Sequence, residues 1–225
     1  MMKRILASFL TAALMALSGA AAAEEEAAYD LLFRDGTLDE IDRSSALVYQ
    51  RQVINALRPD AADRDTGDIA LSFRDADKPL AHLRFNKDEK HRNLGVFPAS
   101  VGNPIIMYFY ETVVRDMAES AGGSPFYIRN RVKDALVSLS EVEPGEASVD
   151  GEVLQTKVVR LQPFANDPNR AQMQGFGDLE LRVTMSEDVP GWYVSLIAEA
   201  MPTDGSDTVY RSEMRFDHLD LDPDE

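Results

Sequence analysis

The residue types most often used as metal ligands and catalytic bases are sparse in this sequence. Its three histidines, His82, His91 and His218, are widely spaced, and no His-Glu-x-x-His pattern places two of them on one helix face. No Gly-x-Ser-x-Gly segment presents a nucleophilic serine, and no glycine-rich phosphate loop is found. The sequence therefore predicts no histidine metal site, serine hydrolase or nucleotide site, and no cofactor is expected.

Carboxylates are abundant, with 39 Asp and Glu side chains. A pair of them hydrolyses glycosidic bonds when about 5 or about 9 Å apart. Glu111 and Asp116 share a predicted helix and Glu199 interrupts an apolar strand, but sequence sets no distance between them. Residues 60–68 and 217–224 are rich in aspartate, but neither segment has the ligand spacing of an EF-hand calcium loop. A carboxylate-based hydrolase remains an alternative, with no catalytic residue and no metal ligand assigned.

Two further segments hold candidate contact residues. Arg129 and Arg131 lie in the first turns of a predicted helix, where positive charge opposes the helix dipole, so we expect an acidic side chain or a bound anion beside them. Residues 164–177 form a long polar loop with apolar ends, and such loops often carry function. Its candidate contact residues are Asn166, Arg170, Met173 and Phe176. The last two either meet a ligand or partner, or pack back onto the sheet.

Charge and cysteine content exclude several functions. The chain has 23 basic and 39 acidic side chains, a net charge of −16, and no cysteine. Such a surface repels nucleic acid and anionic lipid headgroups, because both are bound through Lys and Arg. The acidity either keeps the protein soluble or recognises a basic partner. Without cysteine, thiol catalysis, thiolate zinc sites and disulfides are ruled out, so a hydrophobic core must hold the fold.

The first 23 residues have the features of a cleaved signal peptide. Lys3 and Arg4 precede an apolar run over 5–17, and alanines at 21–23 give the small-residue pattern that signal peptidase recognises. The run is short for a membrane span. We therefore expect an exported protein, periplasmic or secreted, with no stable membrane insertion after cleavage. The mature chain then carries 21 basic and 39 acidic side chains, a net charge of −18.

Apolar periodicity predicts strands, then two helices, then strands. Period-2 alternation or β-rich composition predicts strands at 46–54, 69–74, 80–85, 93–98, 153–164, 179–186, 192–201 and 209–216. Between them, Asn103-Pro104 and Ser124-Pro125 are helix-start signals, and Gly122-Gly123 separates two apolar helix faces. This pattern predicts an αα-hairpin over about 103–139. Residues 24–216 then form one domain, followed by an acidic tail over 217–225.

Alternating strands with an inserted helical pair indicate an α+β fold. The predicted architecture is a curved antiparallel β-sheet, a half-barrel, with the αα-hairpin packed on its concave face. In this order of elements the chain resembles the LolA/LolB-type lipoprotein carriers, whose incomplete barrel and helical lid enclose a cavity for acyl chains. It also resembles uncharacterised exported proteins of Gram-negative bacteria that share runs such as Gly102-Asn-Pro-Ile-Ile-Met. The resemblance is one of architecture and assigns no functional residue.

From this pattern we predict a non-enzymatic exported protein that binds a hydrophobic or lipid-like ligand under a helical lid. The cavity candidates are Ile105, Phe109, Val113 and Met117 on the lid, facing Leu181, Val183, Leu196 and Phe216 on the sheet. The same residues could instead fill a packed core. The main alternative is a protein–protein interaction module of the cell envelope, and the partner is then an envelope protein rather than a small molecule.

Overall fold

The sheet confirms the predicted α+β class. The computed structural model describes residues 27–74, 78–138, 140–201 and 207–221, so the predicted signal peptide lies outside the described residues. Within them, nine antiparallel strands form one curved, unclosed sheet in the order β4-β3-β2-β1-β9-β8-β7-β6-β5. The strands are β1 (Ala46–Asn55), β2 (Gly67–Arg74), β3 (Leu80–Lys87), β4 (Lys90–Pro98), β5 (Val142–Val149), β6 (Glu152–Leu161), β7 (Leu179–Met185), β8 (Tyr193–Ala200) and β9 (Tyr210–Asp220).

The helical hairpin lies where the sequence predicts it, as α3 (Ile105–Ala121) and α4 (Pro125–Leu136). The Asn103 side-chain oxygen accepts a hydrogen bond from the Ile105 N–H over 3.0 Å, which satisfies one of the free donors at the start of α3. Gly122 follows α3 with a φ of 78°, a conformation that glycine adopts without a side-chain clash. Among the described residues, none of the helices has the length and apolar content that crossing a bilayer requires.

Three elements are absent from the sequence prediction. Helices α1 (Ala28–Leu32) and α2 (Pro59–Asp65) are too short to show a 3.6-residue apolar period. Strand β5 contains Pro144 and Gly145, which are depleted in strands but tolerated at a sheet edge, where β5 lies. Strand β9 runs through Asp220, which pairs with Ala46, so the predicted tail over 217–225 begins as strand. Residues 139 and 222–225 lie outside the description.

The core fills the concave side of the sheet. Strand β7 alternates strictly, with its odd-numbered residues buried from Leu179 to Met185. These residues form one apolar cluster with the buried face of α3 and with inward positions of β8 and β9. The hairpin therefore covers the sheet, as the prediction requires, because a one-sided apolar sheet and an amphipathic helix pair each need a partner surface.

Candidate functional site

A cleft of about 1230 Å³ opens between α1, the chain just after α4, and strands β5 to β7. Its volume is somewhat above the roughly 300–1000 Å³ that is usual for ligand sites. Tyr29 and Leu31 contribute from α1, and Val137 from the end of α4. Tyr29 is 48% exposed and Val137 is 68% exposed, so apolar surface faces solvent here. Two separate helices thus leave apolar groups uncovered around one opening.

The sheet supplies one wall of the cleft through side chains that share one face. Lys157 on β6 pairs with Met185 on β7 and with Pro144 on β5, and all three line the cleft. Val142 on β5 faces the same way, because it is two positions from Pro144. At this edge the row of the sheet that faces the cleft therefore combines the apolar Val142, Pro144 and Met185 with the polar Gln155 and Lys157.

Trp192 connects α1 to the β7–β8 turn and forms part of the cleft wall. Its indole N–H donates to the main-chain oxygen of Leu31 over 2.9 Å, and the Tyr193 hydroxyl donates to that of Leu32 over 2.7 Å. These bonds satisfy carbonyls that a helix C-terminus leaves free. Trp192 has a φ of 79°, which costs a bulky residue about 1–3 kcal/mol. Such strain persists only where the surroundings hold the residue in place.

Charged groups surround the cleft unevenly. Glu141, Glu187 and Asp188 are exposed acidic residues among those that line it. Lys157 is the one basic residue among the described lining residues. Arg34 pairs with Glu187 over 3.1 Å and stacks over the Trp192 ring, 4.5 Å from its centroid. The rim is therefore acidic on balance.

The predicted cavity residues lie in the core cluster that adjoins this cleft. All are buried, from 0% exposed for Phe109 to 7% for Phe216. Leu31, Met185 and Trp192 belong to the same cluster and line the cleft, whereas the predicted residues do not line it. The position of the cleft thus differs from the predicted one, and ligand contact with the eight predicted residues stays a prediction.

The predicted contact residues of α4 have acidic partners. Arg129 donates to both carboxylate oxygens of Glu111, over 2.8 and 2.7 Å. This arginine holds the pKa of the Glu111 carboxyl below its usual range, against a smaller opposing effect of burial. Arg131 lies 3.4 Å from Asp167 and 3.5 Å from Asp134. Acidic side chains therefore occupy the place that a bound anion would take.

The loop over 164–177 packs its apolar residues inward. Met173 is 8% exposed, and the Phe176 ring is fully buried with its centroid 5.0 Å from that of Tyr210. Asn166 and Arg170 are exposed, and Arg170 forms an ion pair with Asp178. Met173 and Phe176 were expected either to meet a ligand or partner or to pack onto the sheet, and in the structure both are packed in the core cluster.

The histidines do not converge. His82 lies within 3.1 Å of the Asn93 side-chain oxygen, and burial together with Arg74 and Arg84 lowers its pKa. His218 contacts the neighbouring Asp217 over 2.8 Å. In the part of the chain that the structure describes, no group of three or more His, Asp and Glu side chains could hold a metal ion.

A second, polar cleft of about 310 Å³ is lined by two carboxylates that lie opposite each other on neighbouring strands. Glu180 on β7 lies directly opposite Glu199 on β8, and both line this cleft. Glu199 is paired with Arg211 over 2.8 Å, and Glu180 lies 3.7 Å from Arg182. This pair is where the hydrolase alternative would be tested.

A buried ion network was not among the features predicted from the sequence. Arg51 is fully buried on β1 and donates to Asp116 on α3 over 3.1 Å; the Tyr210 hydroxyl donates to the same carboxylate over 2.8 Å. Arg115 bridges Asp116 and Asp65 over 2.8 and 3.0 Å. The alternation of the predicted strand could have indicated that Arg51 is buried, because Arg51 lies two residues after the buried Tyr49 on the same face.

Two solved structures share a remote likeness with this chain. Lipoprotein LppX of Mycobacterium tuberculosis is 10% identical, with a TM-score of 0.31 over 79% of this chain and 86% of that one. A beta-barrel-like protein of a domain of unknown function, DUF1849, from Brucella abortus is 12% identical, with a TM-score of 0.21 over 78% and 96%. No protein-family model matches the chain, and no curated protein matches it significantly. Likenesses this remote assign no function.

Proposed function

We propose that this protein is an exported, non-enzymatic binding protein that holds a lipid-like ligand in the cleft between α1, the end of α4 and strands β5 to β7. The observation that carries the proposal is the cleft of about 1230 Å³ with apolar side chains facing into it from helices and sheet. Ligand pockets are concave and largely apolar, and half of the residues that line this cleft are apolar.

The exposed apolar groups around the cleft give such a ligand its binding energy. Tyr29 and Val137 are 48% and 68% exposed, while Leu31, Met185 and Trp192 form the buried wall behind them. Covering apolar surface yields roughly 25 cal/mol per Å². An acyl chain laid along this wall would therefore remove Tyr29 and Val137 from water and contact the core cluster.

The single tryptophan of the chain provides the test. Because Trp192 lies in the cleft wall, a bound acyl chain that carries bromine atoms will quench its fluorescence. We would titrate mature protein (24–225) with a monoglyceride brominated in its acyl chain, whose headgroup is uncharged. Saturable quenching below the concentration at which the monoglyceride aggregates is the expected result.

Two variants show whether the quenching comes from the cleft. Val137→Asn with Val142→Asn makes two lining positions polar and is expected to weaken binding about thirtyfold, since each loses roughly 1 kcal/mol of apolar contact. Val96→Asn is the matched control, a 44% exposed valine on the opposite edge strand β4. No quenching, or equal weakening by both variants, would overturn the proposal.

A further inference from the structure

We infer that the ligand of this cleft carries a positively charged ammonium group, as in a zwitterionic or cationic lipid. This inference rests on the proposed function and adds the class of headgroup. It is carried by the charges at the rim of the cleft and by the aromatic rings beside them.

The rim charges favour a cation over an anion. The lining residues include three acidic side chains, Glu141, Glu187 and Asp188. They include one basic side chain, Lys157, which already has an interaction within the protein. Because Arg34 is paired with Glu187, the net charge at the rim is about −1. Two unit charges attract or repel by about 0.6 kcal/mol at 7 Å in water, so this charge shifts headgroup preference by roughly threefold. The net charge of −16 on the whole chain acts in the same direction.

Aromatic rings at the cleft offer a second attraction to ammonium groups. The Arg34 guanidinium already lies over the Trp192 ring, so the cation–π contact of this ring is made within the protein. Tyr29, at 48% exposure, presents a further ring among the residues lining the cleft. An ammonium group here would meet Tyr29 and the carboxylates together, while its acyl chain follows the apolar wall.

The test compares two ligands that differ only in this charge. Palmitoyl lysophosphatidylethanolamine has an ammonium group, and its N-acetyl derivative keeps the same chain and phosphate without it. We would measure both by the change in Trp192 fluorescence at low salt. The expected result is about threefold tighter binding of the amine, with the difference shrinking in 1 M salt as screening increases.

Charge variants locate the effect. Glu141→Lys with Asp188→Lys changes the rim from net negative to net positive and is expected to abolish or invert the preference. The matched control, Asp60→Lys with Asp68→Lys, makes the same charge change on exposed residues of α2 and β2, in the other half of the sheet. Retention of the preference in this control would assign the effect to the rim.

The outcomes separate this inference from the proposed function. Equal binding of the two ligands, tighter binding of the acetylated one, or an equal effect of the two charge variants would overturn the headgroup assignment. Failure of both lysolipids while the uncharged monoglyceride binds would overturn it as well and leave the proposed function standing. If the monoglyceride also fails to bind, the proposed function falls too.

Discussion

The guanidinium of Arg51 donates to the carboxylate of Asp116 over 3.1 Å, and both side chains are at least 95% buried. The pair joins β1 to α3 across 65 residues of sequence. Two further nitrogens of Arg51, Nε and Nη1, have no partner among the described protein atoms. This carboxylate therefore provides the charge that makes burial of Arg51 tolerable.

We predict that the two partners respond unequally to substitution. Asp116→Asn removes the carboxylate that is hydrogen-bonded to the buried Arg51, so the free energy of unfolding in urea is expected to fall by about 3–5 kcal/mol. Arg51→Met removes the charge that needs compensation, and it is expected to cost less. Glu111→Gln, which breaks the exposed pair with Arg129, serves as the control at below about 1 kcal/mol. Equal losses for Asp116→Asn and Glu111→Gln would contradict the assignment.

The attachment of α1 gives a second prediction. Tyr193→Phe removes the hydroxyl that donates to the Leu32 oxygen and leaves a buried carbonyl without this partner. We expect a loss of about 1–3 kcal/mol and faster hydrogen exchange at the amides of α1, measured by mass spectrometry. Tyr29→Phe, at a half-exposed tyrosine on the same helix, is the control. Unchanged exchange in Tyr193→Phe would show that α1 is held by other contacts.

Acid stability is predicted to depend on Asp65. Burial raises the pKa of this carboxyl, but Arg64, Arg115 and Arg51 outweigh it and hold the pKa below its ordinary value. Since the folded-state pKa is lower than the unfolded one, Asp65 stabilises the fold above about pH 4, and this contribution is lost as pH falls through the folded-state value. Asp65→Asn is expected to lower stability at pH 7 and to flatten its fall below pH 4.

The control for the acid experiment is Asp68→Asn, an exposed aspartate three residues along the chain. Both variants and the unaltered protein would be followed by circular dichroism from pH 7 to pH 2 in constant salt. A pH profile of Asp65→Asn that parallels the unaltered protein would show that other carboxylates govern acid unfolding.

The predicted cavity residues can be tested against the cleft. Val183→Ala removes two methyl groups from a fully buried site and is expected to cost about 2–3 kcal/mol of stability. Because Val183 does not line the cleft, monoglyceride affinity is expected to stay within about twofold. A tenfold loss of monoglyceride affinity in the folded variant would instead indicate that the ligand contacts the cavity residues predicted from the sequence.

Patterns within single segments explain which elements were predictable. The alternation from Leu179 to Met185 and the four-residue spacing from Ile105 to Met117 each need only one segment, and both elements are found. Strand β5 was missed because Pro144 and Gly145 weaken its β-signal and only its edge position accommodates them. Helix α2 was missed because seven residues show too little periodicity.

By itself, the sequence determined the α+β class, the helical hairpin and the absence of thiol chemistry, because local periodicity and composition encode these directly. Only the tertiary structure decided where a ligand could bind. The cleft joins Tyr29, Val137, Met185 and Trp192 from three distant segments, and the partner of Arg51 lies on another element. These residues come together because the sheet curves and the helices pack on it. Spacing along the chain does not encode these contacts.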